Sequence, residues 1–246
     1  MSNADSEQRR LEEQRDNLQL LNQVMRHDIR NDLQLVGAYA ELLEDHVDEA
    51  GEEYLDIIKQ STGSAVDLTT TARDLARVMI SEEGETRSVS LGAVLSQQIE
   101  EFRSGYPAAV VTVEGSIPTV EVVGNDMLDS VFRNLLTNAI QHNDKTPPTV
   151  TVSAEVTDAN VDVRIADNGP GVPDSRKREI FGRGQKGLES SGAGIGLYLV
   201  ESLVGTYGGD VRVEDGTGDP PTGSGQQPDD SDPGGAVFVV TLPMAE

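Results

Sequence analysis

Apolar residues recur at spacings of three and four through Leu18, Leu21, Met25, Ile29, Leu33, Val36, Ala40 and Leu43. The spacing predicts one long helix over residues 6–48. Gly51 punctuates the pattern, and it resumes through Leu55, Ile58, Ala65, Leu68, Ala72, Leu75 and Met79 as a second helix. Two amphipathic helices joined by a short turn form a hairpin that buries too little surface to stand alone. A second copy completing a four-helix bundle is the simplest partner, with Leu11 to Met25 extending the bundle as a coiled coil.

Between Glu82 and Arg87 the pattern changes and a linker is expected. Short strands follow at Val89–Leu91, Val110–Val113 and Val120–Val123, with a helix over Gly92–Arg103. A clear helix spans Asn125–Asn143, with Asn125 or Asp126 as its cap. Strands at Thr149–Val156 and Val161–Ala166 lead into the tight turn Asp167-Asn168-Gly169-Pro170-Gly171. A short helix at Pro173–Phe181, a mobile loop at Gly182–Ser191, a helix at Gly194–Thr206 and a strand at Asp210–Val213 come next. Residues 216–235, dense in Gly, Pro, Asp and Ser, read as a disordered insertion before a last strand at Gly235–Leu242. Helices and strands mix without regular βαβ alternation, so the second domain is α+β with a mixed sheet. The expected domains are residues 1–84 and 85–246.

Charge narrows the partners. The 246 residues carry 43 acidic and 19 basic side chains, a net charge of −24. A phosphate polymer would be repelled, which argues against nucleic acid. The acids are spread along the whole chain, as on the solvated surface of a protein from a very salty cytoplasm. There is no cysteine, which excludes disulfides, thiolate catalysis and cysteine-bound metals. No apolar run reaches membrane-spanning length and no signal pattern begins the chain, so a cytoplasmic location is expected.

Four stretches carry candidate chemistry, each with two readings. His27 lies about 160° from the apolar stripe of its helix, with Asp28 beside it and Asn31 one turn on. It is either a solvated histidine or a nucleophilic imidazole oriented by a carboxylate. Asn134, Asn138 and His142 recur every fourth residue, apart from Leu128, Val131, Leu135 and Ala139. They are either the wet side of a helix or a set of amides for a hard cation and phosphate oxygens. Asp167 ends a strand beside Gly169 and Gly171, and suits either an Asx-turn or a planar ligand's amino group. Gly192, Gly194 and Gly196 precede an apolar helix, where free N–H groups and the dipole favour phosphate. Nearby, Arg176, Lys177, Arg178, Arg183 and Lys186 reverse the local charge, as a solvated loop or as a triphosphate site.

The order of these motifs resembles the sensor histidine kinases of two-component signalling, over nearly the whole chain outside 216–235. His27-Asp28-Ile29-Arg30-Asn31-Asp32-Leu33 is similar to the phosphoacceptor H-box, and Asn134-Leu135-Leu136-Thr137-Asn138-Ala139 to the N-box. Asp167 to Gly171 is similar to the first glycine box, Ile180-Phe181 to the F-box and Gly192 to Gly196 to the second glycine box. Tyr207-Gly208-Gly209 and Phe238 to Pro243 resemble the family's C-terminal strands.

The resemblance implies a dimeric four-helix bundle followed by an α+β sandwich of the Bergerat ATP-binding type, its mixed sheet covered by helices. It implies ATP and Mg²⁺, with His27 phosphorylated and Asp28 as base. Asn138 would bind the cation, Asn134 would support it, and Asp167 would read the adenine amino group. Residues 172–191 would form a lid, with Arg183 or Lys186 neutralising the γ-phosphate and Gly192, Gly194 and Gly196 holding phosphate. The implied partners are a second copy, a response-regulator receiver domain and, if this is a fragment, an upstream sensor domain. The Asp28-x-x-Asn31 pattern resembles kinases that also dephosphorylate their regulator.

Two positions depart from the family. Gln141 stands where Lys or Arg is frequent, so His142 or the lid cations substitute, or turnover is slow. Asn31-Asp32 replaces Thr-Pro, so no proline kink is expected. Gyrase-type ATPases share the nucleotide fold but need a glutamate where this chain has Asn134. A degenerate kinase serving as a dimeric scaffold is the other alternative.

Overall fold

The computed structural model describes residues 29–80, 86–182, 195–216 and 234–245. The chain divides into two compact units, Met1–Ala76 and Arg77–Glu246.

The first unit is a helical hairpin. Helix α1 (residues 29–43) tightens into a 3₁₀ turn at Glu44–His46, and α2 runs from Glu49 to Ile80. Gly51 does not break the chain as expected. It lies in the first turn of α2, where its N–H meets the Asp48 carboxylate at 3.0 Å and the Asp48 carbonyl at 2.7 Å. The break falls at Val47-Asp48, because a carboxylate satisfying a free N–H opens the helix there. Ala40 and Leu55 are the buried apolar side chains of the hairpin among the described residues. An open groove of about 290 Å³ between the helices is lined by Leu35, Val36, Tyr39, Leu43 and Ile58 together with that pair.

The second unit is α+β, as expected. Strand β1 (Arg87–Ser90) pairs antiparallel with β3 (Glu121–Gly124). A five-stranded sheet has the order β2 (Val110–Glu114), β4 (Thr149–Val156), β5 (Asn160–Asp167), β7 (Ala236–Pro243), β6 (Asp210–Asp215). Only β2 and β4 run parallel, so the sheet is mixed. Met244 bridges to Val122 and joins the small sheet to the end of β7. Helices α3 (Leu91–Gly105), α4 (Leu128–Gln141) and α5 (Ile195–Thr206) supply the rest of the core. Their Leu95, Phe132, Leu135 and Leu199 are sealed from solvent, as are Val150, Val163 and Val239 of the strands. Alternation along β5 buries Val161, Val163 and Ile165 on one face, the period-two pattern of a half-covered sheet.

Two expected boundaries move. Helix α4 begins at Leu128, not Asn125, because Asn125-Asp126-Met127 forms a separate turn in which Asn125 Oδ1 accepts the Met127 N–H at 2.9 Å. Pro173–Phe181 is a run of turns, not a regular helix, held by bonds such as Arg176 N–H to Pro173 O (2.8 Å) and Gly182 N–H to Glu179 O (3.1 Å). The expected insertion lies almost wholly outside the described residues, but its ends meet. Gly216 N–H donates to Gly235 O at 3.1 Å, and a Cβ on Gly216 would fall 1.8 Å from Gly234 O.

Candidate nucleotide site

Helix α4 is the spine of the site. Leu128, Val131, Leu135 and Ala139 anchor it in the core, which fixes the direction in which its amides project. Asn134 is not on a wet face: it is buried, and its Nδ2 donates to Ser130 O one turn back at 2.6 Å. Helix α5 lies over it. A Cβ on Gly196 would stand 2.7 Å from Asn134 Oδ1, so glycine is what lets α5 approach this closely.

One turn further on, Asn138 carries a buried Nδ2 with no hydrogen-bond partner among the described residues. A buried donor left unpaired costs on the order of 1–3 kcal/mol, so an acceptor is expected there. Another turn on, His142 ends the helix, its N–H on Asn138 O at 3.2 Å. Gly169 packs there, where a Cβ would lie 3.4 Å from both His142 O and Asn143 Cα. Glycines thus bracket α4 at Asn134 and at His142, about 12 Å apart at 1.5 Å per residue. Asn138 sits midway.

Asp167 closes β5 beside the second glycine. Its Oδ1 accepts the Gly169 N–H at 2.8 Å, the Asx-turn that the sequence suggested. The same oxygen accepts the Ala236 N–H from β7 at 3.2 Å, a bond that nothing in the local sequence signals. Gly235 makes this approach possible: its φ is +78°, and a Cβ would meet Asp167 O at 1.8 Å. Burial pushes the Asp167 carboxyl above its ordinary range, against the two backbone bonds and the nearby His142 imidazole, which pull it down. Oδ2 receives neither backbone bond and is left to accept from a ligand.

Sequence reasoning passed over the support around this carboxylate. Asn168 Oδ1 accepts from Asn143 Nδ2 and from Thr149 N–H, both at 2.8 Å, tying the exit of α4 to the turn after β5. An asparagine at each end of the 143–168 stretch was the available signal. Gly171 supplies the turn's positive φ of 71°.

One member of the basic cluster is engaged by acidic neighbours. Lys177 is held by Asp174 and Asp215, each at 2.6 Å, so it is committed to structure and not to a triphosphate. Phe181 packs edge-on against Phe238 of β7, with ring centroids 6.3 Å apart, and is buried. Lys177 and Phe181 thus tie the first part of the expected lid to β6 and β7, and the part beyond Gly182 lies outside the described residues. Arg176 and Arg178 are exposed. Arg183, Lys186, Gly192 and Gly194 lie outside the described residues, as do His27 and Asp28. Asn31 is exposed on α1 of the first unit.

The donor set suits a nucleotide with its cation. Among the described residues no group of three or more His, Cys, Asp or Glu side chains could hold a metal by itself. A Mg²⁺ ion shared between one protein oxygen, waters and phosphates needs no such group. The orphaned Asn138 amide midway along α4 fits phosphate oxygens, with its Oδ1 left for a cation.

Comparison with known proteins places α4, β5 and α5 in an ATPase domain. Residues 124–246 match the family described as histidine kinase-, DNA gyrase B- and HSP90-like ATPase, and residues 6–79 match the His Kinase A phospho-acceptor domain. The chain is 30% identical over 198 residues to the sensor-type histidine kinase PrrB of Mycobacterium leprae, covering 78% of this chain and 43% of that one. It thus spans less than half the length of that curated relative. The solved ATP binding domain of PrrB from Mycobacterium tuberculosis is 26% identical, with a TM-score of 0.51, over 66% of this chain and 100% of that domain. Full-length ShkA, solved in complex with AMPPNP, shares the fold over 92% of this chain and 46% of that one, with a TM-score of 0.56 at 23% identity.

Proposed function

This chain belongs to the sensor histidine kinases, with a phospho-acceptor domain followed by an ATPase domain, and from that premise we propose that it moves the γ-phosphoryl group of ATP to His27 and on to an aspartate of a response-regulator receiver domain. The observation that carries the nucleotide half is the buried, unpartnered Nδ2 of Asn138 midway along α4.

Asp167 accepts the adenine amino group through Oδ2, with Oδ1 fixed by the Gly169 and Ala236 amides. The Asn138 amide meets the phosphates, and its Oδ1 is the protein ligand for the cation. The chemistry that a bound Mg²⁺ supplies there is neutralisation of phosphate charge. Gly192, Gly194 and Gly196 precede and open α5, whose N-terminal N–H groups favour phosphate, and Arg183 or Lys186 stabilises charge developing on the transferred group. A ring nitrogen of His27 forms the new N–P bond as the bond to ADP breaks, and Asp28 takes the imidazole proton.

Transfer is favoured over hydrolysis because Asn134 stands where a water-activating glutamate would be required. Its amide is a poor base and already donates to Ser130 O. The hairpin's open apolar groove supports a homodimer. The Asp28-x-x-Asn31 pattern supports dephosphorylation of the regulator as a second activity.

Incubation of the wild type and His27→Gln with γ-labelled ATP and Mg²⁺ tests the reading. Acid-labile, alkali-stable label on the wild type alone is expected. Label persisting in the variant assigns the acceptor elsewhere, and label on neither leaves a nucleotide-binding scaffold.

A further inference from the structure

Helices α4 and α5 meet at two places. At the start of α5, Gly196 presses on Asn134. Past its end, Tyr207 donates its hydroxyl to Asn125 Oδ1 at 2.6 Å, at the entry to α4. The helices run in opposite directions between these points, which lie on the order of 15 Å apart along the pair. The apolar contacts between them leave sliding along the axis weakly opposed. The Tyr207–Asn125 hydrogen bond, joining the flanks of the two helices, is directional and opposes it.

Tyr207 is well placed to fix that register. It is 2% exposed. Its backbone N–H bonds to Leu203 O and Val204 O, continuing the helix to its last turn. Beyond it the chain turns at Gly208, with φ +77°, and Gly209 lies so close to β7 that a Cβ would meet Thr241 O at 2.2 Å. The exit of α5 is thereby seated on the sheet. Burial, helped by Asp129 and Asp126, pushes the Tyr207 hydroxyl well above its ordinary pKa, so it stays a donor across the working pH range. Asn125 Oδ1 also accepts the Met127 N–H, so one oxygen joins the entry of α4 to the exit of α5.

We propose that Tyr207 is a positioning residue for nucleotide binding: through Asn125 it sets the axial register of α5 against α4, and so the separation of the Gly196 and Asn134 ends that frame the phosphate side of the site. This rests on the nucleotide-binding role proposed for Asn138 and Asp167. The Gly196 contact has no room for a methyl group, so an axial shift of a few tenths of an ångström at the clasp is felt at the other end of two rigid helices.

The test uses the full chain, a non-hydrolysable ATP analogue with Mg²⁺, and thermal unfolding in parallel. Tyr207→Phe and Asn125→Ala are each expected to weaken analogue binding about five- to tenfold, and the double variant no further than Asn125→Ala, since both remove the Tyr207–Asn125 bond. Asn125→Asp keeps the acceptor and stays within twofold of the wild type. Val161→Ala, in the core at the far end of β5, lowers the thermal midpoint without changing binding. A lowered midpoint with unchanged binding in Tyr207→Phe, or an Asn125→Asp that behaves like Asn125→Ala, overturns the proposal.

Amide hydrogen exchange reads the same claim without nucleotide. Tyr207→Phe should speed exchange at Leu135–Gln141 and Ile195–Leu199, remote from the lost bond, and acceleration confined to the neighbourhood of Asn125 and Tyr207 overturns it. If the wild type binds no analogue, the nucleotide reading fails, and with it the functional half of this proposal. The exchange pattern then decides the register half alone.

Discussion

In the hairpin, Leu42 and Tyr54 are each 68% exposed and Ile58 is 41% exposed, whereas in the nucleotide unit Leu91, Phe132, Leu135 and Val163 are sealed completely. The same kind of amphipathic helix occurs in both units. What differs is that α3, α4 and α5 each have a sheet or another helix to cover them, while within the described residues of the first unit α1 and α2 cover one another. A mixed sheet with helices closes its own core. A helical pair leaves one stripe bare and awaits a partner.

The largest expected break in that contrast is Ile58→Glu. A charge on the bare stripe would have to be buried unpaired in any bundle, at a cost of several kcal/mol. Sedimentation should show the proposed dimer replaced by monomer while thermal unfolding of residues 86–246 is unchanged. A variant that remains dimeric places the interface elsewhere.

Next comes Asp167→Asn, which should weaken ATP-analogue binding about a hundredfold by removing the acceptor, with no loss of thermal stability, since the carboxylate is desolvated in the fold. The pH dependence sharpens the point because its two signs oppose. The folded-state pKa of Asp167 lies above its ordinary 3.8. Between those values the folded protein holds a proton that the unfolded chain has released. Its contribution to stability is therefore full below 3.8 and is lost as pH rises through the raised value. Binding runs the other way, weakening as the carboxyl takes up its proton. Analogue titrations at successively lower pH should show that loss in the wild type and none in Asp167→Asn.

Smaller still is a matched pair of glycine substitutions. In an open helix, Gly→Ala stabilises by about 0.5–1 kcal/mol. A Cβ on Gly63 of α2 meets nothing within 4 Å, so Gly63→Ala should stabilise the hairpin by that amount in thermal unfolding. Gly196→Ala should reverse the sign, losing about 1–2 kcal/mol and roughly tenfold in analogue affinity, because Asn134 is held by Ser130 and must be displaced. Equal signs in the two units would break the comparison.

Features that depend on neighbouring residues were legible in the sequence. The β4 bounds, the Asn134–Asn138–His142 succession and the carboxylate at the end of β5 all follow from periodicity and turn chemistry. Features that depend on distant partners were not. Asn125 reads as a helix cap, but its oxygen also takes the hydroxyl of Tyr207, 82 positions away. Lys177 reads as part of a phosphate-binding cluster until Asp215, 38 positions on, is brought beside it. Asn134 reads as solvent-facing because nothing local tells that α5 will cover it. Gly51 reads as a stop because glycine usually is one, yet the Asp48 carboxylate opens a helix through it. Neither the structure nor the relatives support reading the net charge as a mark of habitat.

The closed neck at Gly216 and Gly234–Gly235 bears on how such a chain can diversify. The β6–β7 register and the Ala236 amide that steadies Asp167 are fixed at the neck itself, on the sheet side of the 17 residues numbered 217–233. Changing the number of residues strung between two fixed points alters closure entropy by only about 0.6 kcal/mol per doubling. As far as closure entropy goes, lengthening or shortening that stretch therefore carries little penalty, and a foreign peptide spliced in at the same port should leave the β6–β7 register in place.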